Sequence, residues 1–347
     1  MNLKTNHLNL IRLIAATQVL ILHAQNHLNK GDPTLTAGIV KALPPGVPVF
    51  FLISGFLIYW SYENCGSFKI YAQNRSLRIF PGLWSVTILG ILTAALIGQV
   101  DFLGHLKQAT IWLFAQATMF QFYNPEFLRE YGCGTLNGSL WTISVELQFY
   151  AIVPVLYFLE KKVGVKALVL ATVASLMLQM VLGHMKLEAG NPLWLKLAYV
   201  SAGPFFWMFG MGALAHRFSH IIVPFAKQYV WLLVAFYFTA QFFLKNYIEF
   251  GTNNPNPICF AMLSLMILGL AYTKPGIFNA FKRFDISYGI YVYHMIIVNI
   301  MLHIQCSFPL SFWLTLLITT ACATLSWFVI EKPMLRFKRR TLHAVKS

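Results

Sequence analysis

An all-α, polytopic membrane bundle of about ten spanning helices is the fold this chain predicts, and three observations predict it. Of its 347 residues, 58% are hydrophobic and only 11% are charged, against about 25% charged in soluble domains; mean hydropathy is +0.63. Ten apolar stretches approach the ~17–25 residues that cross a bilayer as a helix. The cations also gather on alternate sides of those stretches. With both termini placed in the cytoplasm, Lys30, Lys41, Lys107, Arg129, Lys186, Lys196 and Lys245 fall outside, and the remaining 19 of the 26 Lys and Arg residues fall inside, the positive-inside pattern. The formal net charge of +15 is therefore a topology signal and a basic face at lipid headgroups. It requires no nucleic-acid partner.

In chain order, Leu8–Leu28 opens the bundle and carries Arg12 and His23. Val47–Tyr62, short for a span, contains Ser54 and Gly55, and Ile79–Val100 follows KIYAQNRSLR. Leu140–Leu159 carries Glu146. Val165–Leu182, Leu195–Leu214, Tyr229–Leu244 and the short Ile258–Tyr272 follow. Ile286–Ile304 carries His294, and Leu310–Ile330 ends before Glu331 and Lys332. Nothing has the composition of a soluble domain, so residues 1–347 are read as one integral membrane domain, with no cleavable signal needed. Loops are short except 101–139 on the outer side, which is aromatic-rich and too irregular for a clean span. Long ordered loops are usually functional; this one is read as a lid over the outer mouth or as a membrane-lying packing segment. The five cysteines are widely spaced and lack metal-ligand spacing, so no metal is expected.

Glu146 is the most informative single residue. It is one of 11 acids, and a carboxylate at bilayer depth costs about 2.5–3.5 kcal/mol even on mild insertion scales. His23 is the expected partner. At about 1.5 Å per residue, His23 lies about 22 Å from the inner edge, Glu146 about 21 Å and Ser54 about 20 Å, so contact is permitted. A neutral imidazole can take a hydroxyl proton while a carboxylate orients it and stabilises its charge, the logic of acyl transfer with histidine as base. Ser54 fits three roles: nucleophile, donor to a carbonyl, or small packing residue. An interhelical hydrogen bond would also account for His23, and a pair with a basic residue for Glu146. Arg75 and Arg78, three apart at the inner end of the third span, share a helix face and form a clamp for phosphates, to which Arg12 adds; positive-inside anchoring is the other reading. A clamp beneath a buried acid and imidazole suggests a donor entering from inside, anionic at one end with a long thin arm, such as a coenzyme A thioester.

These residues also carry a resemblance. NLIRLIAATQVLILHA, with Arg12 and His23 eleven apart, GVPVFFLISGFLIY, RSLRIFPGLW, GSLWTISVELQFYAIVP, SYGIYVYH and SWFVIEKP occur in this order, and over nearly the whole chain the sequence resembles acyltransferase family 3, the integral membrane acyltransferases. The resemblance implies transfer of an acyl group, usually acetyl from acetyl-CoA, to a sugar hydroxyl of an extracytoplasmic glycan: a lipopolysaccharide O-antigen, capsule or exopolysaccharide. It implies His23 as catalytic base with Glu146 in support, Arg75 and Arg78 on the coenzyme with Arg12 and Ser54 nearby, and Trp141 on the acceptor. A bacterial inner membrane is the expected location. Asn9 stands where many members have Asp, and no fused hydrolase-like unit is expected after Ser347. His294, placed about 12 Å above the inner edge, is read as a pathway or structural residue, and Glu331 as a structural pair or cap. Two rivals stay open: a transporter or glycan flippase, which ten spans and buried ionisable groups also suit, and a structural or assembly subunit.

Overall fold

The structure, a computed structural model, describes residues 6–29, 43–98, 100–185, 190, 192–244, 248, 250, 253–273 and 284–338. Both chain ends, and with them Lys4, Arg339, Arg340 and Lys346, lie outside the described residues, as do Lys30, Lys41, Lys186, Lys245, Lys274, Lys282 and Arg283.

Among the described residues the fold is all helical, with no β-strand. The helices are α1 Leu8–Leu28, α2 Gly46–Glu63, α3 Phe68–Leu96, α4 Leu106–Ala117, α5 Trp141–Val163, α6 Lys166–His184, α7 Leu193–Tyr199, α8 Phe206–Arg217, α9 Ser219–Gln228, α10 Val230–Leu244, α11 Pro257–Tyr272, α12 Ser287–Ile304 and α13 Phe308–Ser326. A π turn at Trp327–Glu331 carries α13 into α14, Lys332–Leu335. Seven segments are long and apolar enough to cross a membrane, and α9 with α10, meeting at a 75° bend, make an eighth if counted together. The expected span Leu195–Leu214 is divided between α7 and α8. Pro204 lies in the break, where it supplies no N–H and disfavours helix in the residue before it. The expected Ile258–Tyr272 corresponds to the 16-residue α11.

Three features of packing position the site. First, α1 lies along α12. Arg12 faces Asp285, and eleven residues further His23 faces His294, nine residues past Asp285. The two helices therefore run parallel. Second, α2 and α8 cross with backbones almost touching. A Cβ on Gly55 would stand 1.9 Å from the Phe209 carbonyl oxygen, and one on Gly212 would stand 2.1 Å from that of Leu52. Small residues allow such close approach where lipid supplies no hydrophobic drive between helices. Third, the end of the segment 101–139, from Cys133 to Ser139, is bound against α12. The Asn299 amide donates to the Thr135 and Leu136 carbonyls at 2.9 and 3.0 Å and accepts from Cys133 N–H at 3.0 Å. Asn137 donates to the Val292 carbonyl at 2.7 Å, and the Ser139 hydroxyl to that of Tyr291 at 3.3 Å. A short 3₁₀ turn, Gly138–Leu140, then leads into α5. This helix consequently begins level with the middle of α12, well inside the bundle.

Candidate active site

The end of the bundle that holds the start of α1, the start of α3 and the residues after α14 is basic. A cavity of about 240 Å³ opens there, lined by Arg12, Arg75, Arg78 and Lys338, by the acids Asp285 and Glu146, and by Ser54 and Tyr150. A constriction of about 20 Å³, room for about one water, follows and shares Arg12 and Glu146 with the first cavity, adding Thr142, Tyr288 and Tyr291. Beyond it, a third space of about 50 Å³ shares Val47 and Tyr291 with the constriction and is lined by His23, Gln18 and Trp141. The three spaces thus adjoin one another from the basic end to the histidine.

The cations in the first cavity are not equivalent. Arg78 is buried and committed: its guanidinium lies 2.6 Å from Asp285 and 3.6 Å from Glu331. Arg12 is 3.8 Å from the same Asp285 oxygen. Burial pushes the Asp285 carboxyl up, but Arg78 and Arg12 outweigh it and hold the group at about 2. Arg75 is less spoken for: one terminal nitrogen donates to the Ser61 hydroxyl at 3.3 Å, while its buried Nε has no hydrogen-bond partner. Lys338, just past α14, is pulled down to about 7, first by burial and then by Arg75, Arg78 and Arg12. Cations gathered beyond what the local acids neutralise make a receptor for an anion, phosphate above all.

Glu146 accepts from the Ser54 hydroxyl at 2.9 Å and from the Tyr150 hydroxyl, one helical turn along α5, at 2.5 Å, both through Oε1. His23 is elsewhere. Its Nδ1 lies 2.8 Å from Nε2 of His294, a residue that is 0% exposed. The expected His23–Glu146 pair is therefore replaced by two pairs on two levels: Ser54–Glu146 shares a cavity with Arg12, whereas His23 is about 16 Å further along α1. Counting each span from the membrane surface misplaced three residues. Helix α2 starts at Gln18, whose side-chain oxygen accepts from Gly46 N–H at 3.0 Å, so Ser54 sits lower than its distance from Val47 implies. The buried 3₁₀ turn displaces α5 inward, and Glu146 with it. Helix α12 starts level with Arg12, which lifts His294 to His23.

Trp141, five residues or about 7 Å along α5 from Glu146, lines the same cavity as His23. It brings Arg12, Arg75, Arg78 and Ser54 to one cavity. Glu331 is paired with Arg78, and it accepts from the Ser326 hydroxyl at 3.3 Å. Sequence reasoning missed Asp285, Tyr150 and Lys338. A lone acid immediately before an apolar run was a usable signal for Asp285, and the i, i+4 spacing to Glu146 for Tyr150. Lys338 lay hidden in a basic tail that the positive-inside rule already explained.

Residues 6–332 match an acyltransferase domain, the acyltransferase 3 family, and the chain belongs to that family. It is an integral membrane acyltransferase. The protein named nodulation protein 10 of Rhizobium leguminosarum bv. viciae is 32% identical, over 96% of this chain and 94% of its own length. An O-acetyl transferase of Shigella phage Sf6 is 25% identical over 96% of each chain. The peptidoglycan O-acetyltransferase OatA of Listeria monocytogenes is 26% identical over 45% of this chain and 24% of its own. No solved structure matches.

Proposed function

We propose that the chain moves an acetyl group from cytoplasmic acetyl-CoA to a hydroxyl of an extracytoplasmic glycan, such as an O-antigen, capsule or exopolysaccharide, across a bacterial inner membrane in which both termini are cytoplasmic. The observation that carries this reading is the run of adjoining cavities from Arg75 and Lys338 to His23 and Trp141. The printed names of two relatives, an O-acetyl transferase and a peptidoglycan O-acetyltransferase, support the acetyl group, the hydroxyl and the polysaccharide.

The donor's phosphates sit on Arg75, Lys338 and Arg12, while Arg78 is held back by Asp285 and Glu331 and sets the position of that acid pair. The thioester arm passes Ser54 and Glu146 and reaches His23. The acceptor hydroxyl comes from the opposite side, against Trp141. His23 takes its proton, the oxygen attacks the thioester carbonyl, and the tetrahedral intermediate collapses. The departing coenzyme A sulfur recovers the proton from His23. Histidine as base then acid is the ordinary division of labour in acyl transfer. Purified protein in liposomes, given acetyl-labelled coenzyme A on the basic side, is expected to label a glycan acceptor on the other. Movement of the glycan with no covalent label would replace the enzyme by the flippase reading.

The Lys338 environment predicts a pH dependence. The group is charged below about 7 and neutral above it, so its attraction for the donor's phosphates is present at pH 6 and absent at pH 9. Donor affinity should fall about tenfold over that range, the worth of one charge-assisted contact. In Lys338→Gln the fall attributable to this group vanishes. Calorimetric titration with coenzyme A at several pH values measures both slopes, and equal slopes would remove Lys338 from the phosphate site.

A further inference from the structure

Resting on the reading of His23 as base, we infer that His294 is a positioning residue that fixes the tautomer of His23, so that Nε2 of His23 is the atom that takes the acceptor's proton. The inference follows from counting hydrogens on two rings. His294 is 0% exposed, so both its nitrogens are satisfied inside the protein. Its Nδ1 lies 3.2 Å from the Ile290 carbonyl oxygen. A carbonyl only accepts, so Nδ1 carries the hydrogen. A neutral imidazole has one N–H, which leaves Nε2 of His294 as a lone pair. That lone pair faces Nδ1 of His23 at 2.8 Å. Nδ1 of His23 must therefore donate, and the free lone pair of His23 is on Nε2. The reverse arrangement sets a lone pair of His294 against the Ile290 carbonyl, an unsatisfied buried contact.

The same pair sets orientation. The two rings meet edge to edge, with centroids 5.0 Å apart and planes 30° from parallel. Tyr291, whose ring meets His294 edge-on, is itself held by Thr142, its hydroxyl 2.6 Å from the threonine hydroxyl. When His23 takes the acceptor proton, its Nδ1–H keeps donating to His294, and the new proton stays on Nε2, ready for the leaving sulfur. Passing the charge on to His294 would place it on a fully enclosed ring, which is costly. The other ionisable group near His23 on its own helix is His27, with ring centroids 6.1 Å apart. A neutral ring supplies orientation without the charge stabilisation a carboxylate would add, so its removal costs less than the loss of a triad acid.

Two substitutions and one spectrum test this. His294→Leu fills the space but cannot accept a hydrogen bond; His294→Gln offers an amide oxygen to His23 Nδ1–H. In liposomes, His294→Leu should lower kcat by about 10²-fold, with coenzyme A affinity unchanged, and His294→Gln should recover most of the loss. Solid-state NMR of protein with ¹⁵N-labelled histidine should show His23 protonated on Nδ1 in the parent protein and shifted toward the Nε2–H form in His294→Leu. A parent His23 protonated on Nε2, or a His294→Leu enzyme turning over at the parent rate, overturns the inference. If His23→Ala itself keeps transferring, the proposed reaction falls instead. The parent spectrum needs no variant to fold.

Discussion

His23→Ala should reduce acetyl transfer by about 10²–10⁴-fold while leaving donor binding intact, since general-base histidines contribute about that much in rate. The separation of the two effects comes from distance. The proposed phosphate site is lined by Arg12, Arg75 and Lys338, and His23 lies about 16 Å beyond Arg12 along α1, lining a different cavity. Coenzyme A binding measured by calorimetry should therefore match the parent protein, and single-turnover transfer to a glycan acceptor should not. Transfer within tenfold of the parent rate would take the base role away from His23 and return attention to Ser54. The Ser54 hydroxyl is already given to Glu146 at 2.9 Å, and Ser54 lines the cavity at the basic end. Loss of coenzyme A binding would mean that the ring supports the whole passage, not the chemistry at its end.

Much of this site was legible in the chain before any coordinates. Apolar length marked the α1, α3, α5, α12 and α13 spans, because a membrane helix must hide its backbone within itself and so advertises its extent in sequence. The residue types at Arg12, His23, Arg75, Arg78 and Glu146 pointed to an anion at one end and proton transfer within. What the chain concealed was level. Depth counted from the surface assumes that every span starts there, and α2, α5 and α12 do not: their starts are fixed by Gln18, by the 3₁₀ turn against Val292 and Tyr291, and by Asp285 against Arg12. Each is a contact between residues far apart in the chain, which no local pattern encodes. The partner of His23 is 271 residues away and that of Arg78 is 207. The same blindness made Arg75 and Arg78 look like equal halves of one clamp, when packing against Asp285 and Glu331 neutralises one of them.

Asp285→Ala should be the most destabilising single change at the basic end, by about 3–5 kcal/mol, because it takes the nearer carboxylate from a buried guanidinium. Asp285 receives Arg78 at 2.6 Å and Arg12 at 3.8 Å. It also ties down the first turn of α12, accepting from the Ser287 hydroxyl at 2.5 Å and from Ser287 N–H at 3.3 Å. Removing the carboxylate strands Arg78, with Glu331 at 3.6 Å as its remaining acid, and frees the start of the helix that carries His294. The pH profile has a definite sign. Because the folded pKa, about 2, is below the ordinary 3.8, the ionised form stabilises the fold at every pH above 3.8, and the contribution is lost as pH falls through about 2. Thermal unfolding in detergent should accordingly show a parent Tm that owes nothing to this group's titration between pH 5 and 8, and an Asp285→Ala Tm that is lower throughout. Adding Arg78→Met and Glu331→Gln to Asp285→Ala should regain part of the loss, since removing every charge of a buried cluster is far milder than removing one. A triple variant no more stable than the single would show that Asp285 acts through the cap at Ser287 and not through its guanidinium partners.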